Sequence, residues 1–406
     1  MTEKKLYNEA QIIQNDLVEY RRFLHAHAET GFALKNTVRF VEEKLKEMGY
    51  APVACGKSCL VACVGQAAQN KGTGKAFLLR ADMDALPIVE KSGVPFACKT
   101  GNMHACGHDM HTAMLLGAAR LLKTHERELK GRVKLVFQPA EETLEGAKAA
   151  IAAGVLKDPD VGGATTLHVM TASPLKSGTL VVFSEGVSAP AADYFTITVK
   201  GKSCHGSTPQ NGVDALNAAA HILVALQEIA ARELSVSDDC VLTVGNMQGG
   251  VAPNVIADLV KMQGTLRSYT EEVRERTKKR LSEICAAVAK AFRARAKVTF
   301  DSGCPTLVND GALSQLAEKV ARETLGTERV LTTAGLGGGT NARGGGSEDF
   351  AYISHQTPSV ALALAAGERG KGFDYPLHHP KVRFDESVLP IGSAVLAAMA
   401  FRYFER

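Results

Sequence analysis

Lys75-Ala76-Phe77-Leu78-Leu79-Arg80-Ala81-Asp82-Met83-Asp84 opens on an apolar run and closes on two acids. Residues 75–80 read as a strand, and that strand delivers Asp82 and Asp84 to its end. From His111 to Lys123 the periodicity is helical, and Val133-Lys134-Leu135-Val136-Phe137 returns to strand. Upstream, residues 8–24 and 36–49 carry helical spacing, the second closing on Gly49 as a helix C-terminus does. Strands alternating with helices predict an α/β domain whose mixed sheet is layered by helices. The pattern changes after Ser188. Residues 194–199, 241–247 and 257–266 read as strands, 213–232 as an alanine-rich helix and 271–295 as a long charged helix. Two strand-helix-strand units of that size predict an α+β module with an antiparallel sheet. The expected division is a catalytic domain over 1–187 and 298–406, interrupted by an inserted domain over 188–297.

Strand ends are where α/β enzymes place their sites, and reactive side chains collect there. Met103-His104-Ala105-Cys106-Gly107-His108-Asp109 mixes thiolate, imidazole and carboxylate at short spacing. Cys106 and His108 flank a glycine, which lets the backbone bend so that both reach one ion. Gln138-Pro139-Ala140-Glu141-Glu142 follows the 133–137 strand. Adjacent carboxylates there let one bind metal while the other stays free for proton transfer. Further imidazoles stand at His168 and at His378-His379. A buried cysteine alone is usually a small hydrophobe, and adjacent glutamates are usually a solvated pair. Together with the histidines they form a set that suits zinc or a similar divalent ion, and a pair of such ions is the usual device for activating water.

The chain has 406 residues, enough for two domains, with 47 basic and 43 acidic side chains and a net charge of +4. That balance gives no sign of a nucleic-acid or acidic-membrane partner. Nine scattered cysteines do not form a disulfide framework, and free thiols fit a reducing cytoplasm. The first residues, Met1-Thr2-Glu3-Lys4-Lys5-Leu6, are too polar for a signal peptide. No run reaches the ~18 apolar residues of a membrane span. A soluble cytoplasmic protein is expected.

Seven motifs in order carry a resemblance over almost the full length. They are Arg21-Arg22-Phe23-Leu24-His25, Arg80-Ala81-Asp82-Met83-Asp84-Ala85-Leu86-Pro87, the Cys106 and Glu141 stretches, Pro253-Asn254-Val255-Ile256, Gly264-Thr265-Leu266-Arg267 and Gly346-Ser347-Glu348-Asp349-Phe350. The chain resembles the metal-dependent amidohydrolases that include bacterial N-acyl-L-amino-acid amidohydrolase, hippurate hydrolase and the plant hydrolases of indoleacetyl-amino acids. These sit within the aminoacylase-related co-catalytic zinc exopeptidases. The resemblance implies two divalent ions per chain (zinc, manganese, cobalt or nickel), held by Cys106, His108, Glu142, His168 and His378. Cys106 would bridge the ions where wider relatives use aspartate, and His378 is chosen over His379 by its place in Leu-His-x-Pro. Glu141 would be the general base, and Asp84 and Asp109 would orient metal-bound imidazoles.

The resemblance further implies that the inserted domain serves as lid and dimer contact. His205 would reach the oxyanion, commonly from a partner subunit, and Asn254 and Arg267 would bind the substrate carboxylate. A homodimer or larger homo-oligomer acting on small N-acyl amino acids is expected. Three positions depart from the family pattern: Ala28 and Ala257 replace prolines and Cys204 replaces a glycine. None of them is an expected ligand or the base. A dipeptidase or other metallo-exopeptidase is the second reading, and a non-catalytic metal- or amino-acid-binding relative the third; the free carboxylate of Glu141 argues against the last.

Two other features invite a function and are set aside. Cys55, Cys59 and Cys63 are spaced by four, which fits no cluster signature, and core packing is expected for them. The glycine-rich run 335–346 lacks the Gly-Lys-Ser/Thr ending of a phosphate-binding loop and is read as a flexible loop beside the active site.

Overall fold

The computed structural model describes residues 1–66, 74–335 and 346–405. The elements run α1 (Glu3–Ile12), α2 (Gln14–Ala26), α3 (Lys35–Glu47), β1 (Val53–Ala54), β2 (Leu60–Val64), β3 (Ala76–Asp82), α4 (His108–Thr124), β4 (Val133–Gln138), α5 (Gly146–Ala152), β5 (Val161–Met170), β6 (Leu180–Val182) and β7 (Gly186–Ala189). Next come β8 (Ala191–Lys200), β9 (Cys204–His205), α6 (Ala215–Ala225), β10 (Cys240–Gly249), β11 (Val255–Ile256), β12 (Leu259–Ser268), α7 (Glu271–Ala291) and β13 (Arg295–Cys304). The chain closes with β14 (Leu307–Asn309), α8 (Gly311–Leu325), β15 (Val330–Thr332), α9 (Ala351–Ser354), β16 (Ser359–Ala365) and α10 (Leu389–Tyr403).

Two compact units result: Met1–Ser188 with Val308–Arg343 and Asp349–Arg406, and Ala189–Leu307 with Gly344–Glu348. In the first, an eight-stranded mixed sheet runs in the order β1-β2-β4-β3-β5-β16-β6-β15. Its centre is parallel, β4 to β3 to β5 to β16, while β2 joins β4 and β6 joins β16 antiparallel. All seven residues of β3 are buried, as expected of a strand covered on both faces. Phe77, Leu79 and Ala81 point to one face, where they share a core with Leu135, Phe137, Leu115, Leu122, Val395 and Met399. That core explains why α4 and α10 are apolar nearly all round. The intervening residue Arg80 is also buried. It reaches Asp82 and Asp349 at 2.7 Å each and donates to Gln138 at 3.0 Å.

The second unit is a four-stranded antiparallel sheet, β10-β12-β8-β13. Phe195, Ile197, Val199, Val260 and Met262 pack against Ala218 and Ile222 of α6 and Leu281 and Cys285 of α7. The fold class is thus the expected one, a mixed α/β sheet domain with a separate antiparallel module. Three details differ. The break expected at 297/298 falls inside β13, which pairs with β8 along its length, so the second unit continues to Leu307. The helix expected over 213–232 ends at Ala225, with a separate turn at Ile229–Glu233. Cys59 is buried but Cys63, whose side chain points off the sheet, is exposed, so core packing does not describe all three cysteines. The glycine-rich run lies outside the described residues apart from its two ends. Among the described residues no helix is long and apolar enough to cross a membrane.

Candidate metal centre and active site

Gly107 starts the site. It caps α4 with φ 88°, a backbone state that costs glycine little, and a Cβ there would stand 2.4 Å from Val169 Cγ2. This left-handed turn lets Cys106 and His108 face the end of β5. His108 Nδ1–H donates to the Asp84 carbonyl at 2.8 Å, and His168 Nδ1–H donates to the Val169 carbonyl at 2.6 Å. Each bond leaves Nε2 as the lone-pair nitrogen. Cys106 Sγ is 3.4 Å from His168 Nε2 and 3.3 Å from His378 Nε2. Glu142 Oε1 is 3.5 Å from His378 Nε2 and 3.8 Å from His108 Nε2.

Five residues from four parts of the chain therefore converge, and they divide into two overlapping groups. Cys106, His108 and His168 form one; Cys106, Glu142 and His378 form the other; within each, donor atoms lie within 4.8 Å of one another. Cys106 belongs to both.

The donors fit metal ions on two grounds. Among the described residues His108 Nε2 and Glu142 Oε1, both buried, have no hydrogen-bond partner, which is costly unless something else satisfies them. The cluster also draws positive charge. Burial disfavours an imidazolium at His108, yet Asp82 and Cys106 drive its pKa well above the usual value. Cys106 and then Glu142 push His378 up to about 10. His168 is different: burial, aided by His111, lowers it to about 3 and keeps it neutral. Backbone strain accompanies the convergence, for Ala140 and His378 both have positive φ, 56° and 66°. Such residues cost about 1–3 kcal/mol each and persist where the surroundings force them.

Asp84 sets the two glutamates. Its carboxylate accepts the backbone N–H of Glu141 at 2.9 Å and of Glu142 at 3.2 Å. Glu141 Oε2 lies 3.9 Å from His108 Nε2, and Oε1 accepts the Asp349 N–H at 3.4 Å. Asp349 is itself held by Arg80, Gln138 and the Ala147 N–H.

Asp109 behaves otherwise than expected. Its Oδ2 accepts His25 Nδ1–H at 2.8 Å and lies 2.8 Å from Arg21 Nε. None of the five converging residues appears among these partners. It joins a buried charge network in which His25 also donates to Glu90. The acid that does fix an imidazole at the site is Asp82, which accepts His111 Nδ1–H at 2.6 Å, while His111 Nε2 accepts the Val169 N–H at 2.8 Å. His111 and Asp82 thus brace the strand end that carries His168. The signal was present in the sequence, since His108 and His111 are three apart and share a helix face.

His205, Asn254 and Arg267 lie in the second unit. His205 pairs with Val255 across β9 and β11, and Gly206 N–H donates to the Asn254 carbonyl at 2.7 Å, so His205 and Asn254 are neighbours. His205 is exposed, and its Nδ1 accepts the Ser207 N–H at 3.1 Å, which leaves Nε2–H as a donor. Arg267 stands near the far end of the ten-residue β12, roughly 26 Å along the strand from Leu259 at 3.3 Å per residue. There it lies over the Tyr194 ring at 5.3 Å. Asn254 precedes β12 on its Leu259 side, so the length of the strand lies between it and Arg267 in the chain.

The family model of Peptidase family M20/M25/M40 matches residues 78–402. The chain belongs to that family. It is a metal-dependent hydrolase. It is 35% identical to the N-acetyl-L-cysteine deacetylase of Bacillus subtilis, over 97% of this chain and 89% of that protein. It is 34% identical to thermostable carboxypeptidase 2 of Saccharolobus solfataricus, over 98% of both. Among solved structures, the Bacillus subtilis YXEP protein, a dinuclear metal binding peptidase from the M20 family, superposes with a TM-score of 0.77 at 30% identity, covering 97% of this chain and 99% of that one.

Proposed function

We propose that this hydrolase cleaves the amide bond of N-acyl-L-amino acids, giving a carboxylate and a free amino acid. The observation that carries the reading is the pair of donor groups sharing Cys106, with Glu141 held beside them. Cys106, His108 and His168 would hold one divalent ion and Cys106, Glu142 and His378 a second. Two such ions supply acidified water and polarise the amide carbonyl. The protein's own residues do the rest. Glu141 accepts the proton of the attacking water and passes it to the departing nitrogen; its placement depends on Asp84 and on the Asp349 backbone. Asp84 also orients His108 through its carbonyl.

His205, with Nε2–H free to donate, is assigned to the oxyanion of the tetrahedral intermediate. Asn254 and Arg267 are assigned to the substrate's α-carboxylate, for which the planar guanidinium is well shaped. Because Arg267 stands far along β12 from the His205–Asn254 turn, a site that uses all three draws on two chains. This supports a homodimer or larger homo-oligomer, with the second unit as lid.

A deacetylase and a carboxypeptidase both release an amino acid bearing a free carboxylate, so the two relatives named above agree on that end of the substrate. They differ in the acyl side. The test is a matched panel of N-acetyl and N-benzoyl amino acids, the same compounds as carboxamides, and free dipeptides, assayed with added zinc, manganese, cobalt or nickel. The acyl amino acids should give the highest kcat/KM and the carboxamides almost none. Faster turnover of the free dipeptides would replace this reading with an exopeptidase.

A further inference from the structure

The hairpin of β1 and β2 pairs Val53 with Val61 and Ala54 with Leu60. Carried one step on, that register sets Cys55 opposite Cys59, and the Cys55 N–H donates to the Cys59 carbonyl at 2.9 Å. Opposed residues joined by such a bond stand about 5.5 Å apart at Cα, within the span of a disulfide. Directly opposed residues of an antiparallel pair carry their side chains on the same face, so the two thiols share one side of the hairpin. The loop between them is held in a turned conformation, with positive φ at Gly56 (79°) and Ser58 (59°). Its tip is anchored by the Ser58 hydroxyl, which donates to the Phe32 carbonyl at 2.8 Å. Cys55 is half-buried, with its thiol 3.6 Å from the Ala153 carbonyl, whereas Cys59 is buried.

We propose that Cys55 and Cys59 form a thiol–disulfide couple, a modification site that shares no residue with the metal centre and takes small disulfides as its reactants. The two thiols are unequal in the way exchange requires. The neighbouring Cys59 thiol, helped by the Lys134 ammonium and opposed by burial, lowers Cys55 to about 7. Cys59, beside Cys55 and more deeply buried, keeps its proton well above the usual range. Cys55 is the attacking thiol and Cys59 the resolving one.

In the first step the Cys55 thiolate attacks one sulfur of an organic disulfide, breaking the S–S bond and expelling one organic thiolate. The Cys59 thiol then loses its proton to that thiolate, and its sulfur attacks Cys55 Sγ. The Cys55–Cys59 bond forms, and the second organic group leaves as a thiolate that takes up the proton lost earlier by Cys55. Two protein thiols are oxidised, and one organic disulfide is reduced to two thiols.

Lys57 lies between the two cysteines, which makes the product easy to read. Trypsin separates Cys55 from Cys59 in the reduced protein, whereas the disulfide keeps the two peptides joined. The metal-loaded enzyme would be equilibrated across a series of reduced and oxidised glutathione, quenched with an alkylating reagent, digested and analysed by mass spectrometry. The Cys55–Cys59 linked pair should rise at least about tenfold from the reduced to the oxidised end and disappear on adding dithiothreitol. Cys59→Ser should instead trap glutathione on Cys55, while Cys63→Ser should leave the linked pair unchanged. Oxidation of other thiols while Cys55 stays unlinked, or a linked pair that survives Cys59→Ser through Cys63, would overturn the proposal.

Discussion

Glu141 and Glu142 are neighbours in sequence with separate surroundings. Glu142 Oε1 is buried among His108 and His378, and these imidazoles hold its carboxyl below the usual value although burial acts the other way. Glu141 instead rests against the Asp349 N–H. Removing each acid should therefore have different consequences. Glu141→Gln should keep fold and metal but lose at least ~10²-fold in kcat, the lower range for a removed acid–base group. Glu142→Gln should lower metal content, measured by elemental analysis after dialysis. The reverse pattern would exchange the two assignments. Residue types and spacing pointed to a metal at the strand ends, but the choice of Glu142 over Glu141 and of His378 over His379 came from the family resemblance, because adjacent identical side chains cannot be told apart by spacing. The partner of Asp109 was not legible. Its neighbour His108 suggested an orienting role, but side-chain direction in the first turn of a helix depends on what is packed there, and Arg21 and His25 come from a helix some eighty residues earlier.

At the scale of the element, the site depends on how α4 begins. The left-handed Gly107 turn and the tight approach of Val169 leave no room for a Cβ. Gly107→Ala should cost about 2–5 kcal/mol, from the backbone conformation and overpacking together. It should also lower metal content, since Cys106 and His108 would no longer face β5. Equal denaturation midpoints and equal metal content for variant and parent would show that the turn is not needed. Periodicity located α4, β3 and β4 because their burial patterns are long and regular. It merged α1 and α2 into one helix, as the break at Ile13 contains neither glycine nor proline. It also ended the second unit too early: β13 alternates regularly, with Ala296, Val298 and Phe300 half-buried between exposed polar residues, but alternation does not say which sheet a strand joins. Pairing with β8, a contact over a hundred residues in sequence, is what assigns that strand.

For the whole molecule, the separation of Arg267 from the His205–Asn254 turn makes shared catalysis between chains the testable consequence. His205→Ala should reduce turnover and leave metal content intact. Mixing inactive His205→Ala and Glu141→Gln subunits should restore part of the activity, because a hybrid dimer contains one site with both groups. No recovery, once subunit exchange is confirmed by native mass spectrometry, would place His205 within its own chain or outside the mechanism.

The most direct test of the central claim is the number of ions bound per chain, counted by native mass spectrometry on wild-type protein and on Cys106→Ala. Two overlapping donor groups with Cys106 common to both predict two divalent ions in the wild type. Removing the shared ligand should weaken both sites, so Cys106→Ala should hold fewer ions at the same free metal concentration and lose turnover with them. Full occupancy and full turnover in Cys106→Ala would contradict the account.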